Sequence, residues 1–257
     1  MFDDAQFRDK TILITGATGG VGAATARLLR RAGAQVCLVA RRAEPLHALA
    51  QELGAHAIAA DLSRAPECER AVAETLDCHG RLDGLVNAAG IWVEGDSEHA
   101  TEEDWDRCVD LNLKGLFFMC ARAIPALRAS RGAIVNIGSD AGLQGNAGAA
   151  IYCASKGGVT LLTKALAREL APSGVRVNVL CPADIMTPML TGQAREYGGD
   201  DPIGYLRRLL ARYPQAEHAR FVRPEEVACM TAFLLSAEAA PITGAALPMD
   251  FGLGAGY

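Results

Sequence analysis

Long apolar runs, paired cysteines and a surplus of basic charge are all missing from this 257-residue chain. No stretch reaches the ~20 consecutive apolar residues of a membrane-crossing helix, and the opening MFDDAQFRDK is polar and acidic, unlike a secretory leader. The eight cysteines are scattered and form no C-x-x-C pair. They read as reduced thiols, mostly core fillers, in a cytoplasmic protein. The histidines at 47, 56, 79, 99 and 218 stand singly, without metal-ligand spacing. A net charge of −5 and a pI near 5.6 give none of the basic footprint expected for nucleic acid or an anionic membrane. No linker or internal repeat divides the sequence.

What is present is an ordinary globular composition, half hydrophobic, on a chain long enough for a large α/β core. Apolar runs alternate with helical patterns. Strands are expected at 11–15, 35–40, 56–61, 82–90, 133–137, 175–180 and 245–249. Helices are expected at about 44–53, 65–79, from 101 onward, 152–170 and 224–236. Thr101-Glu-Glu-Asp looks like a capped start, and Pro125 should kink that helix or mark a boundary. The alternation implies an α/β fold: a doubly wound parallel sheet of about seven strands with helices on both faces, as one domain over 1–257. Between about 183 and 221 the pattern loosens, which suits either a mobile lid beside a site or a surface excursion.

Two stretches carry chemistry. The first strand runs into Gly16-Ala-Thr18-Gly-Gly20-Val21-Gly22 and then a helix. Such a turn lets backbone approach a pyrophosphate at the positive end of a helix. The second is NIGSDAGLQGNAGAAIYCASK, from Asn136 to Lys156. Here Tyr152 and Lys156 stand i, i+4, on one helix face. An ammonium beside a phenol favours the phenolate, so such a Tyr can exchange a proton near neutral pH. Ser139, at the end of a buried strand, is placed to hydrogen-bond a substrate oxygen. Taken alone, Tyr-x-x-x-Lys also occurs as plain surface chemistry.

In order along the chain, Thr15-Gly16-x-x-x-Gly20-x-Gly22, Asp61, Asn87-Ala88-Ala89-Gly90, Asn112, Ser139, Tyr152-x-x-x-Lys156, Pro182 and Thr187 resemble the short-chain dehydrogenases/reductases in their single-domain branch. The resemblance covers almost the whole length. It implies a Rossmann-like fold and an oxidoreductase that moves a hydride between a nicotinamide cofactor and a small-molecule carbonyl or secondary alcohol. The alternative is a catalytically weak dinucleotide-binding regulator or scaffold. The implied catalytic residues are Asn112 (holding a water that relays protons to Lys156), Ser139 (polarising the substrate oxygen), Tyr152 (acid/base) and Lys156 (lowering the phenol's pKa and binding the ribose). The implied cofactor contacts are Gly16, Thr18, Gly20, Val21, Gly22, Arg41, Arg42, Asp61, Leu62, Asn87, Ala88, Gly90, Tyr152, Lys156, Pro182, Ile185 and Thr187. Asn87 and Asn112 also admit plain turn and helix-boundary roles, and Asp61 a cap. A homotetramer is implied, through paired long helices. The family's Pro-Gly is Pro182-Ala183 here, a departure that matters if the position needs a positive φ.

Cofactor choice turns on the end of the second strand. No acid stands between Gln35 and Ala43 to take a ribose 2′-hydroxyl, and Arg41-Arg42 follow Ala40 directly. That favours NADP(H) over NAD(H), unless both guanidinium groups point only into water. The arginines at 195, 207, 208 and 212 read as a solvated face. Trp92, Glu94, Asp140 and Gln144 are expected around the substrate.

Overall fold

A computed structural model describes residues 5–255; residues 1–4 and 256–257 of the expected domain lie outside the described residues. Seven strands form one sheet: β1 (Thr11–Thr15), β2 (Gln35–Ala40), β3 (His56–Ala59), β4 (Gly84–Asn87), β5 (Ala133–Ile137), β6 (Arg176–Pro182) and β7 (Ala246–Met249). All neighbours pair in parallel, in the order β3-β2-β1-β4-β5-β6-β7. The order reverses between β1 and β4, and a crevice opens there at the carboxyl ends of the strands.

The strands are apolar on both faces because both are covered. Leu13, Cys37, Val39, Leu85 and Ile134 face α3 (Ala65–His79), α5 (Leu116–Ser130) and α6 (Ala150–Leu170). Ile12, Ile14, Val36 and Leu38 face the layer of α1 (Gly20–Arg31), α2 (Ala43–Leu53) and α9 (Pro224–Leu235). Successive residues of β1 thus enter opposite cores, as the two-residue period requires. Two further helices, α7 (Pro188–Tyr197) and α8 (Pro202–Leu210), fill the segment where the sequence pattern loosens.

Two strands are shorter than their apolar runs. β4 stops at Asn87 because the next two N–H groups, of Ala88 and Ala89, donate to Thr15 Oγ1 and not to a neighbouring strand. β3 stops at Ala59, and Asp61 then folds back on Ser63.

The helical stretch after Thr101 breaks elsewhere than expected. Thr101 caps α4 (Glu102–Val109) through a capping box with Asp104. A π-helical turn, Asp110–Gly115, follows, and α5 then runs through Pro125. Pro125 is exposed, and α5 continues past it. The break falls at Gly115, where a Cβ would lie 2.2 Å from the Leu62 carbonyl oxygen.

Candidate functional site

A cleft of ≈ 550 Å³ lies across the carboxyl ends of the strands. Its floor at one end is the turn between β1 and α1. Gly16 has a left-handed φ of +62°, and a Cβ on it would come 2.5 Å from Ala88 O. A Cβ on Gly22 would come 2.3 Å from Gly16 O, and one on Gly20 2.4 Å from Thr187 Cγ2. No side chain caps α1, so its first N–H groups and its positive end serve the cleft. Glycines that permit close packing, above an uncapped helix start, make a cradle that fits the pyrophosphate of a dinucleotide.

The expected cofactor contacts converge on this cleft with one exception. Gly16, Thr18, Gly20, Val21, Gly22, Arg41, Arg42, Asp61, Leu62, Ala88, Gly90, Tyr152, Lys156, Pro182, Ile185 and Thr187 all line it. Asn87 does not. Its amide is buried, donating to Asn136 Oδ1 at 2.9 Å and contacting Cys120 Sγ at 3.2 Å, so it ties β4 to β5 beneath the floor. Arg41 and Arg42 are exposed beside buried Ala40. Asp61 accepts from Ser63 Oγ, which holds its carboxyl below the ordinary value, with Arg41 and Arg64 adding to the effect.

Ser139 leaves β5, while Tyr152 and Lys156 rise on α6, and all three are buried on the cleft wall. The Ser139 side chain faces the Tyr152 phenol and acts to lower its pKa. The Ser139 hydroxyl donates to Asp140 Oδ1 at 2.8 Å and accepts from Ala141 N at 3.2 Å. Lys156 Nζ donates to Ile137 O at 2.9 Å and lies 5.7 Å from the centre of the Tyr152 ring. Burial lowers the ammonium to about 8. The expected depression of the phenol is not found. Burial pushes Tyr152 up, the neighbouring Ser139 side chain pulls it down only in part, and the negative charge of Asp140 adds to the rise.

Asn112, in the π-helical turn, does not line the cleft. Its Oδ1 accepts from Ile91 N at 2.9 Å, and its Nδ2 donates to Ile91 O and Ser155 Oγ. A Cβ on Gly90 would sit 3.1 Å from Asn112 Oδ1 and 3.7 Å from Lys156 Nζ, so both groups face one gap.

Pro182-Ala183 brings no strain, because Ala183 is not among the left-handed residues. Asp184, which the sequence pattern does not single out, lies next to it in the cleft. Burial, then the charge of Asp140, push its carboxyl up to about 6, against a hydrogen bond from the Tyr213 hydroxyl. Arg195, Arg207, Arg208 and Arg212 are all exposed as expected, and Arg212 also lines this end of the cleft. Trp92, Glu94 and Asp140 line the cleft; Gln144 instead holds Asp140 from behind at 3.3 Å.

Comparison with known proteins agrees with this geometry. A family model described as short chain dehydrogenase matches residues 10–198. Meso-2,3-butanediol dehydrogenase of Serratia marcescens is 36% identical over 250 residues, spanning 96% of this chain and 95% of that protein. A crystal structure of a variant actinorhodin polyketide ketoreductase with NADPH superposes with a TM-score of 0.89 at 37% identity, covering 99% of each chain. The 3-ketoacyl-(acyl-carrier-protein) reductase of Brucella melitensis, complexed with NADH, gives 0.86 at 33% identity, over 96% of this chain and 99% of that one.

Proposed function

The chain belongs to the short-chain dehydrogenase/reductase family, and on that premise we propose that Tyr152 is the proton donor and acceptor of a carbonyl–alcohol interconversion on a small molecule. The observation that carries the reading is the convergence of Ser139, Tyr152 and Lys156 on one buried wall beside a dinucleotide cradle. A bound nicotinamide supplies the hydride; the protein must orient the carbonyl, exclude water and manage one proton. Tyr152 gives its phenolic proton to the carbonyl oxygen in reduction and takes it back in oxidation. Ser139 fixes the phenol, and its hydroxyl turns from Asp140 toward the substrate oxygen as charge builds there. Lys156 carries a proton below about pH 8, held over the Ile137 carbonyl and facing the same gap as Asn112. Its positive charge favours the phenolate left by proton transfer, an effect smaller than that of burial. Asn112 fixes the Ile91 backbone and keeps a second lone pair on Oδ1 for a water toward Lys156.

Tyr152→Phe tests the assignment. The ring and its packing survive, and turnover should fall by at least ~10²-fold. Near-normal turnover in the Phe variant would overturn it.

The cofactor we favour is NADP(H). Ala40 leaves no carboxylate to repel a 2′-phosphate, and Arg41 and Arg42 lie exposed on the cleft wall. A bidentate guanidinium pair contributes about 1.5–3 kcal/mol, less where water screens it, for a preference of roughly ten- to a hundred-fold. The ratio of kcat/KM for the two cofactors measures this, and Ala40→Asp with Arg41→Ala should reverse it. Equal values in the unchanged enzyme would refute the reading. We take residues 183–221 as a lid over one catalytic domain, in a cytoplasmic homotetramer.

A further inference from the structure

A short chain of hydrogen bonds joins the expected lid to the loop beside the catalytic wall. Gln193 Nε2, on α7, donates to the Tyr205 hydroxyl, on α8, at 2.6 Å. That hydroxyl donates to Glu94 Oε2 at 2.7 Å. The same carboxylate oxygen accepts from Trp92 Nε1 at 2.8 Å. The direction of the chain follows from the groups: an indole N–H and a side-chain NH₂ only donate and a carboxylate only accepts, so the phenol donates its O–H to Glu94. Tyr205 and Gln193 are each only 8% exposed, so water competes poorly for these bonds.

The far end of the chain is the proton donor. The Trp92 ring packs on the Tyr152 ring with centroids 4.4 Å apart, tilted by 55°. The segment carrying Trp92 and Glu94 is itself pinned, since Gly95 N donates to Gly148 O at 2.8 Å, just before α6. The lid therefore meets the loop after β4 at one carboxylate, and that loop touches the catalytic helix through the Trp92 ring. We infer that Glu94 is a positioning residue which couples lid closure to the placement of Tyr152, through the indole of Trp92. Seating Tyr205 on Glu94 fixes the indole N–H, and the fixed indole holds the phenol ring from one side. Opening the lid removes the second donor and frees the indole to turn. This rests on the assignment of Tyr152 as proton donor, but its first readout does not involve catalysis.

The test uses the full-length protein with Trp105→Phe, which leaves Trp92 as the single tryptophan of the chain. Tyr205→Phe deletes one hydroxyl and keeps the ring, so folding should be spared; Glu94→Ala removes the shared oxygen, and Glu94→Gln restores an acceptor. Both Tyr205→Phe and Glu94→Ala should shift the Trp92 emission and speed tryptic cleavage at exposed Arg207 and Arg208 of α8, with Glu94→Gln in between. On a carbonyl substrate, each should lower kcat by roughly ten- to a hundred-fold, the scale of a small misplacement of a reacting group, with little change in KM. The double variant should be no worse than Glu94→Ala alone, because both remove one shared interaction. Unchanged Trp92 emission and cleavage in Tyr205→Phe would overturn the coupling. So would a rise in KM alone, which is the mark of direct substrate contact by Glu94. If the emission and cleavage effects appear while Tyr152→Phe stays active, the latch stands and the assignment of Tyr152 falls.

Discussion

Asp184 shows how a single residue can be silent in sequence and prominent in space. Nothing around PADIM distinguishes it, since its partners Tyr213 and Asp140 are 29 and 44 positions away along the chain. Ser139, Tyr152 and Lys156 were legible because their spacing within one stretch is itself the signal, whereas Asp184 acquires its character from burial and from the charge of Asp140, which only the fold supplies. Its carboxyl is raised to about 6 from an ordinary value of 3.8. Between those two values the folded protein holds a proton that the unfolded chain has already lost. Stability attributable to Asp184 therefore falls as pH rises from about 4 to about 6, then stays at the lower level. Asp184→Asn removes the titration and keeps an oxygen for the Tyr213 hydroxyl. Urea midpoints should show the Asn variant gaining on the parent between pH 4.5 and 7, by about 2 kcal/mol at most. A gap that stays constant across that range would show that Asp184 is not held protonated.

At the scale of elements, the alternation of strands and helices was readable because a sheet covered on both faces needs continuous apolar runs. The π-helical turn was not readable. It ends at Gly115, which lies so close to the Leu62 carbonyl that no Cβ would fit, a contact between segments that only the fold brings together. The turn from β1 into α1 was legible as glycines, and the structure gives each a different reason: a left-handed φ at Gly16, the Gly16 carbonyl against Gly22, and Thr187 against Gly20. Gly22→Ala should force backbone apart, costing about 1–3 kcal/mol of stability as overpacking does. Binding of the dinucleotide should weaken at least ten-fold by calorimetric titration. Gly192, inside α7, is the opposite case, because a Cβ added there would meet nothing within 4 Å. Gly192→Ala should raise stability by up to about 1 kcal/mol, the helix-propensity difference, seen as a higher Tm. If both variants behave alike, close approach does not explain the Gly22 position.

For the whole molecule, the surface raises the question of partners. No helix among the described residues is long and apolar enough to cross a membrane. Yet large apolar side chains stand out from three helices of one layer: Trp105 on α4 at 48% exposure, Phe117 on α5 at 40% and Leu161 on α6 at 69%. Single exposed apolar residues are common and need no explanation. Here α4 and α5 each pack on α6, so the three belong to one side of the molecule. In a closed two-fold interface one patch meets its own copy, and one substitution acts twice. Leu161→Glu places a carboxylate on each side of that contact while leaving the buried face of α6, including Tyr152 and Lys156, untouched. The expected outcome is a dissociated species by sedimentation at micromolar concentration, with the parent sedimenting as a larger assembly. The parent's Tm should also fall on dilution, as mass action requires of a protein held together by association, while that of the variant should not. A parent that sediments as a monomer, with a Tm independent of concentration, would refute the assembly.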